Sequence, residues 1–97
     1  MDPVLDFLIK QARQMPGIRR MILFGSRARG DAHARSDYDI AVDGAFSESE
    51  WAAFELNARE WVPTLCGLDL IRLTENTSSS LKAAIGSEGR VIYEQEK

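Results

Sequence analysis

The feature that most constrains this chain is a short apolar run that ends abruptly. Met21-Ile22-Leu23-Phe24 is continuous and is closed by Gly25-Ser26. Its length and the glycine after it favour a buried strand over a helix. The surrounding sequence supplies further strands and covering helices. Asp2 as cap and Pro3 at the first helical position open a helix with Leu5, Leu8, Ile9, Ala12 and Met15 at helical spacing, stopped by Pro16-Gly17. Tyr38 to Val42 reads as a second strand, closed by the turn signal Asp43-Gly44.

Ser47 and Glu50 form a capping box ahead of a helix running to Val62, with Trp51, Phe54, Ala58 and Trp61 on one face and Pro63 as its stop. Residues 68–73 give a third strand, and the serines before Leu81 can cap a helix that Gly86 or Gly89 ends. Val91-Ile92-Tyr93 is a short last strand. The expected architecture is an α+β fold, an α/β sandwich: a small mixed sheet of about four strands with helices packed on one face.

The chain has 97 residues, read as one domain over 1–97, with 44% hydrophobic and 28% charged residues, an ordinary globular composition. Twelve basic against 15 acidic residues leave a net charge of −3. That balance argues against coating a nucleic acid or an anionic membrane, so no direct nucleic-acid or membrane partner is expected. Met1-Asp2-Pro3 carries no basic leader, and one cysteine, Cys66, makes no internal disulfide; a reducing, cytoplasmic setting is expected. The charge is uneven. Arg19, Arg20, Arg27, Arg29 and Arg35 face only Asp31, whereas acids dominate from Asp37 to Glu60. A local basic segment in an acidic chain suits a small anionic ligand, and it equally suits a solvated loop.

Three sequence features carry chemistry. Gly25-Ser26 after a buried strand lets backbone approach a ligand, and amides of a following helical turn with the Ser26 hydroxyl suit a phosphate; a plain turn is the alternative. Asp37 and Asp39, at i and i+2 of a strand, share a face. Such a pair suits Mg²⁺ and can bridge two ions roughly 3.5–4 Å apart, or it stands in water at a strand edge. Asp69 interrupts an apolar strand, where an acid is costly unless paired, bound to metal or turned to a cleft, or else it stands on the exposed face of an edge strand. If its strand lies beside the second, the acids form a cluster of three. A chance match to the four fixed residues Gly25, Ser26, Asp37 and Asp39 in a chain this long is roughly two in a thousand, taking each at a frequency of about 7%.

Gly25-Ser26, ten residues, then Asp37-Tyr38-Asp39 resembles the signature of the nucleotidyltransferase superfamily that includes DNA polymerase beta. The stretch from Leu23 to Gly30, continued by Ser36 to Ile40 and by Glu88-Gly89-Arg90-Val91-Ile92-Tyr93, resembles the minimal nucleotidyltransferase (MNT) antitoxins, partners of HEPN-domain toxins. The resemblance implies a palm-like core with Gly25 and Ser26 on the nucleotide phosphates and Arg27 and Arg29 beside them. It further implies Asp37, Asp39 and Asp69 as metal-binding and catalytic acids, with Asp69 serving the attacking hydroxyl. Two Mg²⁺ ions, ATP as substrate and AMP transfer to a tyrosine of a HEPN toxin follow from the same resemblance.

Size agrees, since little chain remains to build an acceptor site. The competing reading is an antitoxin that silences its partner by binding alone; an antibiotic nucleotidyltransferase is disfavoured because an acceptor domain is missing. His33 reads as a solvated loop residue, Cys66 as a small filler, and Trp51, Phe54 and Trp61 as core.

Overall fold

The computed structural model describes residues 2–33 and 35–96. Helix α1 (Pro3–Arg13) leads into strand β1 (Ile18–Phe24), the single turn α2 (Ser26–Arg29) and strand β2 (Tyr38–Gly44). Helix α3 (Glu48–Trp61), strand β3 (Leu68–Arg72), helix α4 (Ser79–Glu88) and strand β4 (Arg90–Glu94) complete the order.

Local chemistry sets the helix starts. Asp2 Oδ1 accepts from the Val4 and Leu5 amides at 2.8 and 3.4 Å, satisfying donors that the first turn leaves orphaned. Ser47 and Glu50 close a reciprocal capping box on α3. Ser78 Oγ accepts from the Leu81 amide at 3.2 Å, so α4 begins where the serines suggested. It runs on through Gly86 to Glu88, and Gly89 is its cap.

The four strands lie in the order β3-β2-β1-β4, with β1 antiparallel to β2 and β4, and β2 parallel to β3. The mixed sheet of an α+β fold is therefore present. The helices are not all on one face, however. Met21, Leu23, Tyr38, Ile40, Val42, Leu68 and Leu70 pack with Leu8, Ala12, Phe54 and Ala58 of α1 and α3. Ile22, Phe24 and Ala41, of opposite strand parity, pack with Ile85 and Leu81 of α4. Successive residues 21–24 are buried on both sides, and both sides need apolar cover.

Two further expectations are corrected. Asp43-Gly44 does not turn the chain, because β1 and β2 pair out to Ile18 and Gly44. The strand ends approach closely there: the Ala45 amide donates to the Gly17 carbonyl at 2.8 Å, and a Cβ at Gly44 would meet the Gly17 carbonyl oxygen. Trp61, the last residue of α3, is 67% exposed rather than core, whereas Phe54 and Ala58 are buried and Trp51 packs at the core margin. Among the described residues no helix is long and apolar enough to cross a membrane.

Candidate active site

Strand register brings the three sequence features to one place. Phe24, just before Gly25, pairs with Asp39 across β1 and β2, and Asp39 pairs with Asp69 across β2 and β3. Tyr38 and Ile40 point into the core under α1 and α3, so Asp39 emerges on the opposite, α4 side. Leu68 and Leu70 point to that same core, which puts Asp69 on the α4 side as well. Asp37 shares their parity immediately before β2.

Gly25 is required twice over. Its φ is +76°, a region that side chains with a Cβ rarely adopt, and an added Cβ would run into Asp39 Oδ2. The glycine thus lets the backbone turn while leaving room for a carboxylate. After it the chain makes the single turn α2, with the Ala28 and Arg29 amides donating to the Gly25 carbonyl at 3.1 and 3.0 Å. Gly30, at φ +86°, ends the turn.

Gly67 does the corresponding service for Asp37. Its amide donates to Asp37 Oδ1 at 3.1 Å, and its carbonyl accepts from the Tyr38 amide at 2.9 Å. A Cβ at position 67 would meet Asp37 Cγ at 2.7 Å.

Electrostatics mark the cluster. The Asp39 carboxyl is pushed above its ordinary pKa, first by burial and then by repulsion from Asp69 and Asp37, with Glu88 adding to it and Arg29 opposing it. Asp37 and Asp69 are exposed, so the acidic face opens to solvent. Among the described residues no three His, Cys, Asp or Glu side chains form a ready-made metal cage. The donor set nevertheless fits Mg²⁺, which takes one or two carboxylates, keeps several waters and leaves room for substrate phosphates. A closed protein cage is what Mg²⁺ does not need.

The two motif arginines lie differently. Arg27 turns under the loop: its Nε and Nη2 donate to the Ser36 carbonyl at 3.0 and 2.8 Å, and its guanidinium lies 3.9 Å from the Tyr38 ring centre. The Tyr38 hydroxyl in turn donates to Asp2 Oδ2 at 2.9 Å, and burial with this bond raises the phenol's pKa. Arg29 stays on the acidic side, paired with Asp31 and Glu88 at 3.2 Å each, and those bonds raise its pKa further.

Glu88 went unassigned in the sequence reading. Its Oε1 accepts from the Gly25 amide at 3.2 Å across 63 residues of chain, a contact with no local sequence signal. His33 lies in the exposed loop, where its Nδ1 accepts from the Arg35 amide at 3.3 Å. Cys66 is half-buried beside the core, 3.8 Å from Arg27 Nη2.

Residues 7–97 match the polymerase beta nucleotidyltransferase family. Protein adenylyltransferase MntA of Thermococcus cleftensis is 34% identical over 84 residues, covering 87% of this chain and 80% of that protein. Protein adenylyltransferase MntA of Aphanizomenon flos-aquae is 28% identical over 102 residues, 93% of this chain; the match spans 66% of that relative's length, just under two thirds. A crystal structure of a toxin–antitoxin with AMP-PNP superimposes with a TM-score of 0.74 at 28% identity, over 95% of this chain and 74% of that one. The fold is also that of the complex between an MNT antitoxin and a tri-AMPylated HEPN toxin of Shewanella oneidensis, with a TM-score of 0.67 at 21% identity over 94% of this chain and 70% of that one.

Proposed function

The chain belongs to the polymerase beta nucleotidyltransferase family, and from that premise we propose that it is an antitoxin that transfers AMP from ATP to a tyrosine hydroxyl of a HEPN-domain partner toxin. The observation that carries this reading is the pairing of Asp39 with Asp69 across β2 and β3, beside the Gly25-Ser26 turn and with Asp37 on the same face. It is supported by the adenylyltransferase relatives and by the nucleotide-bound toxin–antitoxin neighbour.

In this reading the Gly25-Ser26 turn and Arg29 receive the triphosphate, the one by backbone and hydroxyl donors and the other by charge. Arg27 holds the Ser36 carbonyl, and with it the segment that leads into Asp37, against the turn. Asp69 orients the incoming hydroxyl and accepts its proton while the oxygen bonds to the α-phosphorus and pyrophosphate leaves. Asp37, Asp39 and Asp69 would hold Mg²⁺, two ions in the fullest form, which supplies charge stabilisation for the phosphoryl oxygens. In this reading residues 1–97 form one nucleotidyltransferase domain and the acceptor hydroxyl comes on the partner. A cytoplasmic setting fits the lone Cys66.

The test is incubation with labelled ATP, Mg²⁺ and the product of the neighbouring gene, taken as the candidate HEPN partner. Mass spectrometry of that partner should show added AMP on tyrosine. An unmodified partner whose activity is nonetheless suppressed would move the function to binding alone.

A further inference from the structure

Glu88 sits at the C-terminal end of α4, far in sequence from the motif, yet its carboxylate joins two parts of the site, the Gly25 amide and Arg29. Oε1 accepts from the Gly25 amide at 3.2 Å. The same oxygen and Oε2 pair with Arg29 Nη1 at 3.3 and 3.2 Å. The side chain is only 21% exposed, so these bonds are held away from bulk water better than the Arg29–Asp31 pair, whose carboxylate is 61% exposed. Position 25 admits no side chain, since its φ is +76° and a Cβ there would run into Asp39 Oδ2.

We propose that Glu88 is a positioning residue for the nucleotide: it fixes the Gly25-Ser26 turn through the Gly25 amide and aims Arg29 toward the phosphates. This rests on the nucleotidyltransferase reading above. The sign of the effect separates positioning from a bystander charge. Glu88 is an acid beside a phosphate site, so removing it relieves repulsion of an anionic ligand. A bystander's loss would therefore leave nucleotide affinity unchanged or improve it. Loss of a positioning residue weakens affinity despite the relieved repulsion. Substitution by glutamine keeps an acceptor for the Gly25 amide and loses the ion pair to Arg29, so its effect falls between those of the parent and of Glu88→Ala.

The experiment measures two quantities on the parent, Glu88→Gln and Glu88→Ala: hydrogen exchange of the Gly25 amide without nucleotide, and the Kd for AMP-PNP with Mg²⁺. Glu88→Ala should speed Gly25 exchange and weaken AMP-PNP binding about three- to tenfold, the scale of one hydrogen bond. Glu88→Gln should keep most of the Gly25 protection and lose less affinity. Should Glu88→Ala prove too unstable to assay, Glu88→Gln carries the decision, since tighter or equal AMP-PNP binding by that folded variant overturns the role. Unchanged Gly25 exchange in Glu88→Ala also overturns it. A parent protein that binds no AMP-PNP refutes the nucleotidyltransferase reading instead, and the positioning role falls with it.

Discussion

Asp39 and Asp69 stand directly opposite one another in the parallel pairing of β2 and β3. Two carboxylates in that position repel, and burial of Asp39 aggravates the repulsion. A fold selected only for stability would not keep them together. The arrangement makes sense if cations and a triphosphate occupy the face they share.

Asp39→Asn should therefore abolish transfer and, with chelator present, raise the melting temperature. Each kcal/mol moves Tm by roughly 4–8 °C in a domain of this size. The sign with pH follows from the raised pKa. The folded state holds the Asp39 proton more tightly than the unfolded chain, so the stability this adds is complete below the ordinary value of 3.8 and is lost as pH rises through the raised one. The advantage of Asp39→Asn should be largest above the raised pKa and shrink on acidification toward 3.8. Thermal melts of both proteins across that range check it; an advantage that grows on acidification contradicts it.

Gly25→Ala should destabilise the domain by about 1–3 kcal/mol, from a positive φ and a Cβ placed against Asp39 Oδ2. Ser26→Ala, by contrast, should leave urea unfolding near that of the parent while weakening nucleotide binding. Urea titration and a nucleotide Kd on the same preparations separate the two effects.

How much of this was legible beforehand depends on the range of each interaction. Asp2, Ser47 and Ser78 cap helices through neighbours two or three residues away, and those starts were readable. The acids were found because strand parity is a local rule. Asp43-Gly44 misled because the pairing of Ile18 with Gly44 overrides a dipeptide's turn preference. Cover on the second face was missed, although the unbroken run Met21-Ile22-Leu23-Phe24 is what burial on both faces looks like. Glu88 was invisible in its role because its partner Gly25 is 63 residues distant. The inward turn of Arg27 depends on the path of the loop to Ser36, which no spacing rule supplies.

Arg27→Lys should not substitute for arginine. One guanidinium places two donors on the Ser36 carbonyl and stacks on Tyr38, and an ammonium cannot reproduce that fork and plane together. A loss of about 1–3 kcal/mol in chemical denaturation is expected, with faster proteolysis in the loop between Gly30 and Ser36. Stability equal to the parent's would show that the clamp contributes nothing.

The central claim is that catalysis, and not occlusion, silences the partner, and Asp69→Asn tests it most directly. The variant keeps the Gly25-Ser26 turn, Asp37 and Asp39, so it should still bind AMP-PNP and the HEPN protein. The acceptor hydroxyl would lose the group that orients and deprotonates it. On one sample, mass spectrometry reads AMP on the partner's tyrosine while a second assay reads suppression of the partner's activity. The expected result is that both vanish together at low antitoxin dose. Full suppression by Asp69→Asn with no AMP attached would contradict the account.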